Sequence, residues 1–164
     1  MPSLAELNEL PAGAVRSALL GICAAPAWAG AMAASRPYQS ADELLARSDA
    51  AVAALTAGEL EQALAGHPRI GASTAGHRWS ASEQARAAAA GEQTSRALAD
   101  GNAAYERKFG HIYLVCASGR SGPELLALLQ ARLAHDAESE WRETRSEMKK
   151  INRIRLGKLI GSSQ

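Results

Sequence analysis

A histidine, a proline and an arginine stand together at His67, Pro68 and Arg69, within the stretch AGHPRIGAST. A residue before proline is biased away from helical backbone angles, so His67 is expected at a fixed position just beyond a helix end. An imidazole titrates near neutral pH and is the commonest general acid or base. Two interpretations are open: a catalytic group, or a histidine that only interacts with the dipole of the preceding helix. Arg69, taken alone, is predicted to point into solvent.

A carboxylate at a helix start is a second candidate. Glu83 is the fourth residue of SASE, a pattern in which a serine and a glutamate cap a helix N-terminus. Capping alone would explain it. Ser80 and Gln84 nevertheless flank it at a helix end whose backbone amides favour anions, so a carboxylate-bearing substrate could bind there too.

Helical periodicity places Arg155 on an apolar face. It follows Met148 by seven residues and Ile151 by four, and it precedes Leu159 by four. A guanidinium on such a face needs an anionic partner, which is either a carboxylate of the protein or a ligand held by both arms of the fork. The basic residues around it are expected to form a solvated face: Lys149, Lys150, Arg153 and Lys158.

Metal and disulfide chemistry are not predicted. His67, His77 and His111 lack the spacing of metal ligands. Cys23 and Cys116 form no CxxC pair and suggest no disulfide framework, so a reducing compartment is expected.

The elements that must position these residues are marked by helix-capping signals. Four [ST]-x-x-E patterns indicate helix starts, and glycines follow several helices, where they end the last turn. Residues 111–118, HIYLVCAS, are the exception, because β-branched and aromatic residues favour an extended segment or a buried turn. We therefore predict one all-α domain of about eight helices over residues 1–164. The four capping patterns begin at Ser3, Ser40, Thr56 and Ser80.

Composition excludes several classes of protein. The formal net charge of +1 gives no polyanion footprint, so a nucleic-acid partner is not expected. The most apolar early segment, residues 14–34, is interrupted by Arg16 and Pro26 and is not expected to span a membrane. The N-terminus shows no basic region followed by an apolar run, so a secretory signal is not expected. The C-terminal residues GSSQ do not match a peroxisomal tripeptide, which agrees with the expectation of a cytoplasmic protein.

Five blocks follow one another along the chain: HPRIG (67–71), SASEQ (80–84), NAAYERKFGHIYLVCASGRS (102–121), LLALLQARLAHDAESE (125–140) and EMKKINRIRLGKLI (147–160). Together and in this order they resemble the 2-oxo-4-hydroxy-4-carboxy-5-ureidoimidazoline (OHCU) decarboxylase family. The resemblance implies an all-helical, usually homodimeric enzyme without a cofactor that forms (S)-allantoin during urate breakdown. The HPRIG form resembles the bacterial branch. Other members carry an acidic residue after the proline, so Arg69 receives no catalytic role.

The resemblance also implies roles for individual residues. His67 matches the family's catalytic histidine, Glu83 its active-site glutamate and Arg155 the arginine that contacts substrate. The segment after KFG resembles the part whose backbone holds the amide groups of the substrate. The substrate-binding residues implied are Pro68, Ser80, Gln84, Tyr113, Leu114, Val115, Cys116 and Ala117.

Two other functions compete with this assignment. A non-catalytic helical domain would bind a ureide or a protein partner, and it would use its Ala-rich faces or its basic C-terminal face. A ureide hydrolase would use His67 and Glu83 around a water molecule and would release ammonia rather than carbon dioxide.

Overall fold

A computed structural model describes residues 2–67, 69 and 92–161. This part of the chain contains helices and irregular segments and no strand, which confirms the all-α prediction. The helices are α1 (Leu4–Glu9), α2 (Ala12–Ile22), α3 (Pro26–Ala34), α4 (Ala41–Ala53), α5 (Ala57–Leu64), α6 (Glu92–Phe109), α7 (Gly122–Leu133) and α8 (Ala137–Leu159).

The predicted capping signals can be compared with the structure at three of the four sites. Full capping boxes form at Ser3 and at Thr56, where hydroxyl and glutamate each accept a backbone N–H. At Ser40 the hydroxyl accepts from the Glu43 amide, but the Glu43 carboxylate accepts from the amide of Gln39, one residue further back. The SASE pattern at residues 80–83 lies outside the described residues.

Contacts divide the chain into two compact units. The first comprises Met1–Gly66 and Met148–Gln164, and the second comprises His67–Glu147. In the first unit α2 packs on α3 and α3 on α4; in the second α6 packs on α7. Helix α8 contributes its residues up to Glu147 to the second unit and those from Met148 onward to the first.

Each unit has its own buried side chains. Trp28 in α3 and Leu44 in α4 are fully buried in the first unit. The core of the second unit includes two tyrosines, and its members are Leu98, Tyr105, Tyr113, Val115, Ala117, Leu125 and Leu129. No helix in the described ranges is both long and apolar enough to cross a membrane.

Candidate functional site

His67 lies directly after α5, as its position before Pro68 predicts. Helix α5 begins at the Thr56 capping box, and its last turn closes through the amides of Ala65 and Gly66. A Cβ at Gly66 would lie 3.3 Å from the Cβ of Ala24, a tight contact that would require Ala24 to shift by a few tenths of an ångström. The side chain of His67 is buried, at 7% exposure. An imidazole so enclosed is held in place and shielded from bulk water.

Arg69 forms a salt bridge rather than pointing freely into solvent. Its Nε and Nη2 donate to the two carboxylate oxygens of Glu106, at 2.8 and 2.7 Å. This hydrogen-bonded pair lowers the pKa of Glu106 and raises that of Arg69. The Arg69 side chain is 57% exposed, so its predicted position in solvent is confirmed, with Glu106 on α6 as a partner that the sequence did not predict. The pairing explains the arginine without a catalytic role.

Several predicted site residues lie outside the described residues. They are Pro68, Ser80, Glu83 and Gln84, so neither the capping nor the binding interpretation of Glu83 is tested.

Arg155 points inward, as its spacing predicts. It is 2% exposed, and the three side chains of the predicted apolar face, Met148, Ile151 and Leu159, are buried with it. Its Nη1 donates to the backbone carbonyl of Ile22, 2.9 Å away, at the C-terminal end of α2. The last carbonyls of a helix have no partner within the helix and carry partial negative charge. The arginine side chain is therefore held by a helix end.

The segment after α6 is irregular and buried. Gly110 ends α6 with a positive φ of 79°, a conformation that favours glycine. The residues that follow form neither helix nor strand, and Tyr113–Ala117 are all buried. Burial of a non-helical backbone requires partners for its amides and carbonyls. The prediction of a buried, non-helical segment is confirmed.

Side chains from α7 and α8 supply partners to this backbone. The Arg132 guanidinium donates from Nη1 to the carbonyl of Leu114. The amide of Cys116 donates to Oε1 of Glu147 at 3.1 Å, and Arg120 donates to the same oxygen at 3.2 Å. The segment is therefore anchored by side chains of the protein itself.

Arg132 is itself held by a buried carboxylate. Glu140, fully buried on α8, accepts from Arg132 Nε at 2.7 Å and from the Tyr105 hydroxyl at 2.5 Å. The His135 ring nitrogen Nδ1 lies 2.9 Å from its other oxygen. Burial raises the pKa of Glu140, but the bonds from Arg132 and Tyr105 and the arginine's charge outweigh it, so the net pKa is lowered.

Sequence reasoning missed this ionic cluster, although a signal for it exists. Arg132 follows Leu125 by seven residues and Leu129 by three, so it shares their buried face. This is the same spacing argument that placed Arg155 inward. Its partner Glu140 lies on the next helix, and periodicity within one helix gives no information about a neighbour.

Metal-binding geometry is not found in the ranges that the structure describes. No group of three or more His, Cys, Asp or Glu side chains there is arranged to hold an ion. Both cysteines are buried free thiols.

Comparison with known proteins connects these features to a family. The chain is 30% identical over 145 residues to the uric acid degradation bifunctional protein TTL of Arabidopsis thaliana, covering 84% of this chain and 45% of that protein. It is 27% identical over 132 residues to a 2-oxo-4-hydroxy-4-carboxy-5-ureidoimidazoline decarboxylase of Haloferax volcanii, covering 78% and 77%. The chain thus spans less than half the length of the bifunctional plant relative.

A solved structure and a family model agree with these relatives. A crystal structure of OHCU decarboxylase in the presence of (S)-allantoin superposes with a TM-score of 0.78 at 28% identity, covering 87% of this chain and 96% of that one. The family model for OHCU decarboxylase matches residues 8–157, which include both His67 and Arg155. The chain therefore belongs to the OHCU decarboxylase family.

Proposed function

We propose that this chain decarboxylates OHCU to (S)-allantoin in urate breakdown. The family match over residues 8–157 carries the proposal. A related structure obtained in the presence of (S)-allantoin supports a ureide as the ligand class.

The reaction needs a place for the electron pair of the broken C–C bond. Many decarboxylases obtain it from a bound cofactor. In OHCU the carboxylate-bearing carbon lies next to a ring C=N, so loss of carbon dioxide pushes the pair into that bond. The protein then has to orient the carboxylate, move one or two protons and select the face that is reprotonated.

Three residues are assigned to these tasks. Arg155 would hold an anionic or carbonyl oxygen of the substrate, for which a buried guanidinium is suited. His67 would act as acid or base at the substrate hydroxyl, whose carbon becomes the ring carbonyl. Glu83 would hydrogen-bond the ring or ureido N–H groups and tune His67.

Backbone groups of the Tyr113–Ala117 segment, other than the Leu114 carbonyl and the Cys116 amide, would bind the remaining amide groups of the substrate. Their buried, irregular course, fixed by Arg132 and Glu147, supports this role because such a segment needs no reordering on binding. Residues Pro68, Ser80 and Gln84 would complete the substrate contacts.

The product's handedness provides the test. Circular dichroism is followed while urate is oxidised and the hydroxyisourate formed from it is hydrolysed, with and without this protein. The proposal requires faster decay, release of carbon dioxide and an excess of the (S) product, where the spontaneous reaction gives a racemate. A racemic product formed at the uncatalysed rate would contradict it, and ammonia release instead of carbon dioxide would indicate a hydrolase.

His67 and Glu83 are tested by substitution. His67→Asn should lower turnover by about 10²–10⁴-fold, the usual contribution of a positioned acid or base. His135→Asn is the matched control, because His135 is a half-buried histidine outside the proposed substrate contacts.

Glu83→Ala should slow turnover severely at unchanged far-UV helicity. A large loss of helicity in Glu83→Ala would favour a capping role alone.

We also propose that the chain acts as a homodimer in the cytoplasm, as the family resemblance implies. Light scattering on the eluting protein should give about twice the chain mass of 17.2 kDa. A single-chain mass at assay concentration would contradict the dimer.

A further inference from the structure

Asn152 is a fully buried polar side chain one turn before Arg155 on α8. It is 0% exposed. Apart from the Cys23 thiol, which its side chain reaches, neither its Nδ2 nor its Oδ1 has a hydrogen-bond partner within the part of the chain that the structure describes. A carboxamide can form up to four hydrogen bonds. Buried polar groups in native proteins almost always have partners, so a carboxamide whose polar neighbour is a single thiol calls for an explanation.

The surroundings of Asn152 place it close to the Arg155 guanidinium. Residues three apart on a helix are neighbours on one face, with Cβ atoms about 5–6 Å apart. Both side chains act on the same group, the buried Cys23 thiol at the end of α2. Burial raises the pKa of that thiol. A hydrogen bond with the backbone of Ala25, a hydrogen bond with the Asn152 side chain and the positive charge of Arg155 each lower it. Amide, thiol and guanidinium therefore converge on one buried location.

The Cys23 thiol, a weak donor and a weak acceptor, accounts for one end of the amide at most. Ser48 on α4 is also buried and has no partner among the described residues. A helical serine hydroxyl can rotate toward the carbonyl one turn earlier, which gives it a local solution. A carboxamide presents a fixed donor and a fixed acceptor side by side, and only a group with the complementary pair satisfies both.

We propose that Asn152 contacts the bound ligand, its carboxamide pairing with an amide or urea group of the ureide that Arg155 holds. This rests on the proposed function. A urea or ring amide carries N–H and C=O side by side, the pattern that matches the acceptor and the donor of the Asn152 carboxamide. The residue then contributes to the choice of a ureide over other small carboxylates, because a ligand without such a group leaves the amide unsatisfied.

The test uses Asn152→Leu, with Ser48→Ala as the matched control. Leucine has nearly the shape of asparagine and removes both polar atoms. We expect Asn152→Leu to fold, with a melting temperature in the absence of ligand equal to or above that of the wild type. Its KM for OHCU should rise about tenfold or more, and the thermal shift produced by (S)-allantoin should be lost. Ser48→Ala should keep both the KM and the shift.

Two outcomes would overturn the inference. If Asn152→Leu retains the wild-type KM and the full allantoin shift, the amide holds only internal water. If Asn152→Leu does not fold, Asn152→Ala replaces it, and an unchanged KM in that variant has the same meaning. Failure of the proposed function is distinguishable, because wild-type protein would then form no (S)-allantoin, whereas failure of this inference leaves wild-type activity intact.

Discussion

Arg153 and Arg155 lie two residues apart on α8 in opposite settings. Arg153 is partly exposed and forms a two-armed salt bridge with Asp49, with Nη2 2.7 Å from Oδ2. Arg155 is buried and donates to the Ile22 carbonyl. Their settings differ because a shift of two residues turns a side chain about 200° around a helix.

Substitution by lysine separates the two arginines. Arg155→Lys keeps the charge but loses the planar fork, so kcat/KM for OHCU should fall about tenfold or more. Arg153→Lys should stay within about threefold of wild type, since an exposed ion pair contributes little. Steady-state kinetics with far-UV circular dichroism measures both. Equal losses in the two variants at full helicity would contradict a ligand role for Arg155.

For single residues, the sequence predicted well whether a side chain points inward or outward, and it predicted poorly which group that side chain contacts. The spacing to Met148, Ile151 and Leu159 was sufficient to bury Arg155, because periodicity encodes a face. Its contact with Ile22 joins residues 133 positions apart, and no local pattern carries that information. Arg69 is exposed as predicted, but its ion pair was missed for the same reason, since Glu106 is 37 positions away.

At the scale of elements, two helix glycines have opposite requirements. A Cβ on Gly101 in α6 would come within 2.5 Å of Leu129 Cδ2 in α7, whereas one on Gly21 in α2 would meet nothing within 4 Å. Gly101→Ala should therefore cost about 1–3 kcal/mol by overpacking. Gly21→Ala should stabilise by about 0.5–1 kcal/mol through helix propensity. Urea unfolding gives both values, and a stabilising Gly101→Ala would show that Leu129 moves aside freely.

The Arg132–Glu140 pair joins α7 to α8 and holds the segment between α6 and α7. Arg132→Met leaves the Glu140 charge buried with only Tyr105 and His135 beside it, and it frees the Leu114 carbonyl. We expect a loss of about 3–5 kcal/mol in the free energy of unfolding. The double variant Arg132→Met with Glu140→Leu should recover part of that loss, because it removes the stranded charge. A double variant as unstable as the sum of both singles would contradict this account.

The lowered pKa of Glu140 makes this stabilisation depend on pH. In the unfolded chain the carboxyl titrates near its usual value of 4.5, and in the folded protein it titrates below that. The contribution is therefore fully present above pH 4.5 and is lost as the pH falls through the folded value. The free energy of unfolding, measured by urea at several acidic pH values, should fall less steeply in Glu140→Gln than in wild type. Identical slopes would assign acid sensitivity to other carboxyls.

Local signals predicted the elements well because capping chemistry is local. The boxes at Ser3 and Thr56 need only residues three positions apart. The segment after Gly110 was recognised as non-helical from its composition, but its anchoring was not. Its partners, Arg132 and Glu147, come from two later helices, and long-range contacts of this kind depend on how the helices pack.

At the scale of the whole molecule, the fold class followed from composition and periodicity, while the division into two units did not. Helix α8 reads as one continuous helix in sequence, yet it contributes residues to both units. The family match extends over residues 8–157 and thus includes most of each unit. The order of the five sequence blocks alone indicates the family, because it depends on most of the chain rather than on one motif.

The proposed chemistry makes a prediction for the intact protein. Because OHCU carries its own electron sink in the ring C=N, the reaction requires neither a metal ion nor an organic cofactor from the protein. Activity should therefore persist after dialysis against EDTA, and native mass spectrometry of the active sample should show polypeptide mass alone. Adding back Mg²⁺, Zn²⁺ or Mn²⁺ should leave kcat unchanged. Loss of activity on chelation, with recovery when one ion is added back, would mean that this metal stabilises the electron pair. The roles proposed for His67 and Arg155 would then be wrong.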